Sequence, residues 1–287
     1  MSSDLMFQDE IRETVRAAYR AIPTGAGRAM AERFYSQAEL ASLPAGAVAW
    51  ALGVADPVRH AGLREGEAVL DIGSGGGIDT VLAARRVGPS GRVIGLDTLS
   101  EMCERARAAV KEAGVAGWCE LRQGEMEDIP LPDASMDVIT AGQAFHWFDT
   151  HRALDEIARV LRPAGWLALL WNERPASGWA AGLWDLRTEL TGGTRAYPGE
   201  GWPEVLAADD RFGPRTSSRH DVAVTTTADA ELADSESRSC VHVIDARRRR
   251  DVLDRLRGFL EAHPDTAGRR RLTYTRPCTL HLCQRAR

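Results

Sequence analysis

Three glycines at alternate positions, Gly73, Gly75 and Gly77, separate a short apolar run from a segment of helical periodicity, with acids on either side at Asp71 and Asp97. Glycine there lets the backbone turn sharply and approach a ligand closely. Asp97 ends a second apolar run twenty residues after Gly77, where a carboxylate can accept both hydroxyls of a ribose. The spacing narrows the choice of nucleoside. A G-x-G-x-x-G dinucleotide fingerprint begun at Gly73 needs Gly or Ala where this chain has Ile78; begun at Gly75, it needs one where the chain has Thr80. G-x-G-x-G suits a ligand without pyrophosphate. Asp71 agrees, because a carboxylate repels a pyrophosphate but helps to hold an ammonium, directly or through water.

A second constellation is Gln143-Ala-Phe-His-Trp-Phe-Asp149, which leaves an apolar run. In open α/β sheets ligands sit beyond the carboxyl ends of the strands, so this segment faces the reacting group. His146 can take a proton from a hydroxyl, amine or acidic carbon near neutral pH. The alternatives are that it hydrogen-bonds a cofactor or packs in the pocket. A carboxylate acceptor needs no base, since alignment alone supplies most of the rate. Trp147, Trp166, Trp171, Trp179, Trp184 and Trp202 crowd one third of the chain. Trp166 and Trp171 read as core. Trp147, Trp179, Trp184 and Trp202, with Phe145, fall in or near segments that would roof a pocket for an apolar or flat acceptor. Plain packing is the other reading of these rings.

The elements that position these residues alternate. Strands are expected at Ala68–Ile72, Arg92–Asp97, near Trp118–Arg122, at Met136–Thr140 and at Gly165–Trp171. Between them lie helices over Ile78–Val87, Ser100–Ala113 and Thr150–Leu161, the last stopped by Pro163. Ser100 with Glu101 and Glu104 has the form of an N-cap with a capping acid. Strands separated by such helices mean an α/β fold with a parallel sheet wound on both faces. Before residue 60 there is no strand, only helices at Glu10–Tyr19 and Gly27–Ser36 and a helix or turn over Gln37–Ala49, broken at Pro44. Residues 1–62 are therefore expected to form a helical cap over the active site, with the main domain from 63 to 287. Past Asn172 the pattern weakens: a helix at Trp179–Leu190, a Gly/Pro-rich loop at Gly192–Pro203 and a sixth strand near Arg215–Thr225. A charged helix follows at Ala246–Ala262, then two short β runs, Arg271–Thr275 and Cys278–Gln284, around Pro277.

Composition excludes several classes. A chain of 287 residues, 44% hydrophobic and 27% charged, is ordinary globular material. A net charge of −5 argues against nucleic acid as a partner. The runs Arg247–Arg250 and Arg269–Arg271 lie among acids and read as solvated faces. No apolar run reaches the roughly 20 residues that span a bilayer, and the N-terminus lacks a signal-like stretch, so a cytoplasmic location is expected. The cysteines, Cys103, Cys119, Cys240, Cys278 and Cys283, are scattered and read as buried thiols, with no metal site suggested.

Val69–Gly77, Gly95-Leu-Asp97 and Gly124-Glu-Met-Glu-Asp-Ile-Pro130 resemble the class I S-adenosylmethionine-dependent methyltransferases over about Glu67–Asn172. The resemblance implies a doubly wound, mostly parallel seven-stranded sheet whose last strand, Cys278–Gln284, is antiparallel, with a substrate-side insertion at about 175–215. It implies that Asp71, Gly73, Ser74 and Gly75 hold the methionine half of S-adenosylmethionine, and that Asp97 holds the ribose with Thr98 beside it. Glu125 and the Met126 backbone would lie at the adenine edge, and Leu99 or Met102 against its face. Within the family two resemblances compete. Tyr35–Ala47 and Leu82–Gly88 resemble the arsenite methyltransferases, which implies that Tyr35 reaches the cofactor. Those enzymes hold arsenic with cysteine thiolates, and this chain has Val54 and Gln143 where two are expected. Gln143–Asp149, Ala158–Pro163 and Leu169–Asn172 instead resemble the trans-aconitate type of small-molecule methyltransferase. The expected function is methyl transfer to an oxygen, nitrogen or carbon of a small metabolite by a monomer or homodimer, with Gln143, His146 and Trp147 at the reaction centre. Two other readings stand beside it: use of the sulfonium to promote a cyclisation or rearrangement without transfer, and metalloid methylation.

Overall fold

In the computed structural model residues 26–51, 57–192, 201–242 and 244–287 are described. The expected helix at Glu10–Tyr19, Val54, most of the loop at Gly192–Pro203 and the side chain of His146 lie outside that description.

Seven strands form one sheet in the order β3-β2-β1-β4-β5-β7-β6. They are β1 Ala68–Ile72, β2 Arg92–Asp97, β3 Cys119–Gln123, β4 Met136–Gly142, β5 Leu161–Asn172, β6 Thr216–Thr226 and β7 Leu272–Gln284. The first five pair in parallel, and β7 runs antiparallel to both β5 and β6. Alternation along β1 shows how the layers arise. Val69 joins the core under helices α5 (Ile78–Val87) and α6 (Ser100–Glu112). Leu70 and Ile72 point to the opposite core, built on α7 (Thr150–Val160), which buries Leu154 and Ile157 against the sheet. Asp71 shares the α5 face with Val69.

Among the described residues, four short helices lie ahead of the sheet, α1 Ala26–Ala31, α2 Gln37–Ser42, α3 Ala45–Ala49 and α4 Pro57–His60. Ser36 caps α2 in a reciprocal capping box with Glu39. Of these helices, α3, with the Trp50 that follows it, packs on the glycine loop. A Cβ at Gly76 would come within 2.9 Å of Trp50 Cβ and 3.2 Å of the Ala47 carbonyl, so only glycine lets α3 approach. Arg105 of α6 stacks on Trp50 at 3.4 Å from the ring centre.

Four expectations are corrected. Ser100 is the first residue of α6 rather than its cap; the N-cap is Leu99, with no side-chain cap bond. The Leu99 amide donates to Asp97 Oδ1 at 2.9 Å, and the Ser100 hydroxyl turns to Glu101 Oε2 at 3.3 Å. The helix α7 ends at Val160, and β5 begins at Leu161, paired with Met136, running through Pro163 by way of a register shift and a positive φ of 63° at Ala164. The two expected C-terminal runs are one strand. Pro277 is tolerated within β7 because β5 has ended: the last β5 pair is Asn172 with Cys278, so its missing N–H costs no rung there. The stretch after Asn172 is more helical than its composition suggests. It holds α8 (Gly178–Thr191), α9 (Trp202–Ala208), α10 (Ala228–Ser237), α11 (Ser239–His242) and α12 (Ala246–Ala262), of which α9, α10 and α11 carry no clear period. Trp179, Leu183, Leu232, Val252, Leu256 and Leu272 form a separate core among α8, α10, α12 and the start of β7.

Candidate active site

The chain leaves β1 through a loop that only glycine can follow. Gly73, Gly75 and Gly77 have φ of +71°, +50° and +90°. The amides of Gly73 and Ser74 donate to the Leu96 carbonyl at 2.8 and 3.1 Å, tying the loop to β2. A Cβ at Gly77 would lie 2.9 Å from Ala106 Cβ, whereas above Gly75 the nearest atom is the Gly73 carbonyl oxygen at 3.9 Å. The loop is thus pressed onto α6 at one end and left clear at its middle. Ser74 packs against Gly95 of β2, and its Oγ is buried without a hydrogen-bond partner among the described residues.

Both acids lie where the loop needs them. Asp97, 6% exposed, accepts from the amides of Gly75 and Leu99, each at 2.9 Å, one on each carboxylate oxygen. Each oxygen keeps a lone pair for a further donor. Burial raises its carboxyl above the ordinary range against the pull of the two amides. Asp71, 3% exposed, lies beneath the loop, between Gly95 of β2 and Thr140 of β4 in register. It accepts from Thr80 Oγ1 at 2.6 Å and from Thr140 Oγ1 at 3.2 Å. Burial lifts Asp71 to about 6, the two hydroxyls pull it down, and the Asp97 charge adds to the rise. Both hydroxyls were missed in the sequence, although each had a signal. Thr80 is the residue that breaks the dinucleotide fingerprint, and Thr140 is a polar residue near the end of an apolar strand. Gly95 has a physical reason too: a Cβ there would lie 3.0 Å from Thr80 Oγ1 and 3.1 Å from Ser74 Cβ.

Along the rim from Asp97, Leu99 and Met102 are buried, and the Thr98 carbonyl accepts from Gln123 Nε2 at 3.1 Å. The Gly124 amide donates to the Asp97 carbonyl at 3.1 Å, which brings the Glu125 loop alongside. Glu125 is half-buried and bridges to Asp128. The Met126 side chain belongs to the core, so only its backbone faces the rim. Glu127, passed over in the sequence, accepts from the Asp149 amide at 2.9 Å and so joins this loop to the start of α7. Burial raises its carboxyl.

At the end of β4, Gln143 holds a φ of +53°, a strained value for a residue with a side chain. Its amide donates to the Leu170 carbonyl at 3.0 Å and its Nε2 to the Asn172 carbonyl at 3.4 Å. The next residues make a single 3₁₀ turn, Phe145–Trp147, so His146 and half-buried Trp147 follow Gln143 at the C-terminal edge of the sheet, one strand from the glycine loop. Phe145 is corrected: it is fully buried and meets Trp202 edge-on at 5.8 Å, a core residue rather than pocket wall. A 3₁₀ turn spaces side chains about a third of a circle apart, so one of three must point inward. Trp202 is core as well. Trp179 packs against Tyr274 at 5.2 Å and lines a different cavity, of about 400 Å³, with Thr273, Thr275 and Pro277. Tyr35 is buried and donates to Asp79 Oδ1 at 2.7 Å, in the first turn of α5 directly behind the loop.

A family model described as a methyltransferase domain matches residues 70–169. An uncharacterized methyltransferase of Mycobacterium tuberculosis is 35% identical over 202 residues, covering 69% of this chain and 75% of that protein. An arsenite methyltransferase of Halobacterium salinarum is 40% identical over 119 residues, 41% of this chain but 30% of that protein. Among solved structures the YcgJ protein of Bacillus subtilis aligns with a TM-score of 0.55 at 21% identity, covering 80% of this chain and 96% of its own, a likeness of fold. Together with the glycine loop, its two buried acids and the strand order, these likenesses show that the chain belongs to the class I S-adenosylmethionine-dependent methyltransferases.

Proposed function

We propose that this enzyme transfers a methyl group to an oxygen, nitrogen or carbon nucleophile of a small organic metabolite, held between residues 143–147 and a cap formed by residues 1–62. The observation that carries the reading is the loop over Gly73–Gly77. It offers clear space above Gly75 and a carboxylate at Asp97 with unused lone pairs. Those groups fit S-adenosylmethionine. Asp97 would accept the ribose hydroxyls, with Thr98 alongside. The backbone of Gly73 and Gly75, with Ser74, would cradle the methionine end. Leu99 and Met102 would face the adenine, and Glu125 with the Met126 backbone would meet its edge. The sulfonium supplies an electrophilic methyl group that leaves a neutral thioether behind. Asp71 acts from below: held by Thr80 and Thr140, its buried carboxylate contributes negative charge to a bound cation. Gln143 is fixed at the strand end to orient the acceptor, and His146 is the candidate base.

An organic acceptor is favoured over a metalloid by the thiols. Cys103, Cys119, Cys278 and Cys283 are buried, burial pushes Cys119 up to about 12 and Cys278 up to about 11, and the β4 end carries Gln143 instead. Soft-metal binding needs thiolates gathered at one point. Calorimetric titration with S-adenosylmethionine, S-adenosylhomocysteine and a nicotinamide dinucleotide tests the cofactor. A metabolite screen that counts S-adenosylhomocysteine released per product tests the transfer. Absence of affinity for both adenosyl compounds would overturn the reading, as would product formed with no S-adenosylhomocysteine released.

A further inference from the structure

Away from the glycine loop, four arginines from four parts of the chain converge on two carboxylates. Arg33, in the turn after α1, meets Glu231 at 2.9 Å and Asp234 at 3.9 Å, and donates to Thr226 Oγ1 at the end of β6. Arg238 pairs with Asp234 at 3.0 Å. Those contacts use both acids. Arg187 of α8 and Arg276 of β7 remain, each 5% exposed, and neither makes an ion pair among the described residues. Arg187 has one long bond, to Ser235 Oγ at 3.4 Å, and lies with Arg238 over the Trp184 ring. Arg276 donates to Tyr274 Oη at 2.9 Å, and its Nε has no partner. Among the described residues, four guanidiniums thus meet two buried carboxylates, and Arg187 and Arg276 are the two without a close ion pair, an arrangement that costs the fold stability unless an anion joins it. Burial and the neighbouring Arg238 lower Arg187 to about 10, as crowding of positive charge demands.

The cluster is also linked to Gln143 through β7. Arg276 is two residues from Cys278 on the same face of β7, a step of about 7 Å. The Cys278 thiol donates to Asn172 Oδ1 at 3.1 Å, and the Asn172 carbonyl accepts from Gln143 at 3.4 Å. We propose that Arg187 and Arg276 seat an oxyanion, a carboxylate or phosphate, of the methyl acceptor, while the nucleophile of the same molecule lies at Gln143. Guanidinium suits the task because it binds both oxyanions in bidentate fashion and stays charged when buried. This assignment rests on the methyl-transfer reading and names its substrate class.

The test uses the full chain with two probes, succinate and inorganic phosphate, followed by calorimetry and by thermal melting. Saturable binding of either is expected, and which of the two binds distinguishes carboxylate from phosphate. Arg187→Met and Arg276→Met should each weaken that binding about tenfold or more, with S-adenosylhomocysteine affinity held within about twofold. Should a methionine variant fail to fold, Arg276→Lys keeps the charge but loses the fork, and should raise the KM of an identified acceptor with kcat preserved. The assignment is overturned if neither anion binds saturably, if both methionine variants bind as the parent does, or if the acceptor carries neither group. Failure of the parent to bind S-adenosylhomocysteine would instead remove the reading beneath it.

Discussion

Replacing Asp97 separates the task this carboxylate performs in the fold, holding the loop, from the one proposed for it, holding the ligand. Asp97→Ala leaves the buried amides of Gly75 and Leu99 without acceptors, at about 1–3 kcal/mol each. Removing a carboxylate that burial already disfavours returns part of that cost. The expected net loss is roughly 2–4 kcal/mol, a fall in Tm of about 4–16 °C for a chain of this size. Asp97→Asn keeps one acceptor but turns an NH₂ toward the second amide, so it should lose about half as much stability. It also replaces a charge-assisted bond to the ribose with a neutral one, worth about 1.5–3 kcal/mol, or roughly ten- to a hundredfold in Kd. Urea melts and titration calorimetry with S-adenosylhomocysteine measure the two effects on one preparation. An Asn variant that melts lower but binds within twofold of the parent would refute the ribose assignment and leave Asp97 as scaffold. An Ala variant with unchanged stability would refute the hydrogen-bond accounting itself.

Asp71 should make both stability and affinity depend on pH. With a folded value of about 6 against an ordinary 3.8, the folded chain holds its proton more tightly than the unfolded one. Its contribution to stability is therefore full below the ordinary value and declines as pH rises toward 6. Affinity for the cationic cofactor should move oppositely, weakening by at most about tenfold per unit below pH 6; calorimetry across pH 5–7 checks this, and a flat profile or one surviving in Asp71→Asn counts against it. Gly77→Ala should cost about 1–2 kcal/mol of backbone strain and a further 1–3 or so from overlap with Ala106. Adding Ala106→Gly should restore only the second part, and strict additivity in a double-mutant cycle would show that the loop does not press on α6. Tyr35→Phe should lower stability by about 1–3 kcal/mol through loss of its bond to Asp79 and leave S-adenosylhomocysteine affinity unchanged. A large drop in affinity would instead mean that Tyr35 touches the cofactor.

The sequence alone determined the elements that begin and end in glycine, proline or a strand-end acid. β1, α5, β2 and α12 fall on the expected residues because local steric preferences and apolar period agree there. It also determined the turn of the loop, since tolerance of positive φ is a property of single glycines. What it left undecided depends on contacts across the chain. Thr140 holds Asp71 from 69 residues away, and neither residue's neighbours announce the other. Phe145 faces the core and not the pocket because a 3₁₀ turn set by the end of β4 aims it at Trp202. β7 runs through Pro277 only because β5 has stopped, and α9, α10 and α11 are helical because packing supplies what their propensity lacks. The arginines at 33, 187, 238 and 276 carry no signal in the sequence one by one. Only the closing of α1, α8, α10 and β7 on one another buries them together, since electrostatic energy depends on distance in space and on removal from water, and neither is written in the order of residues.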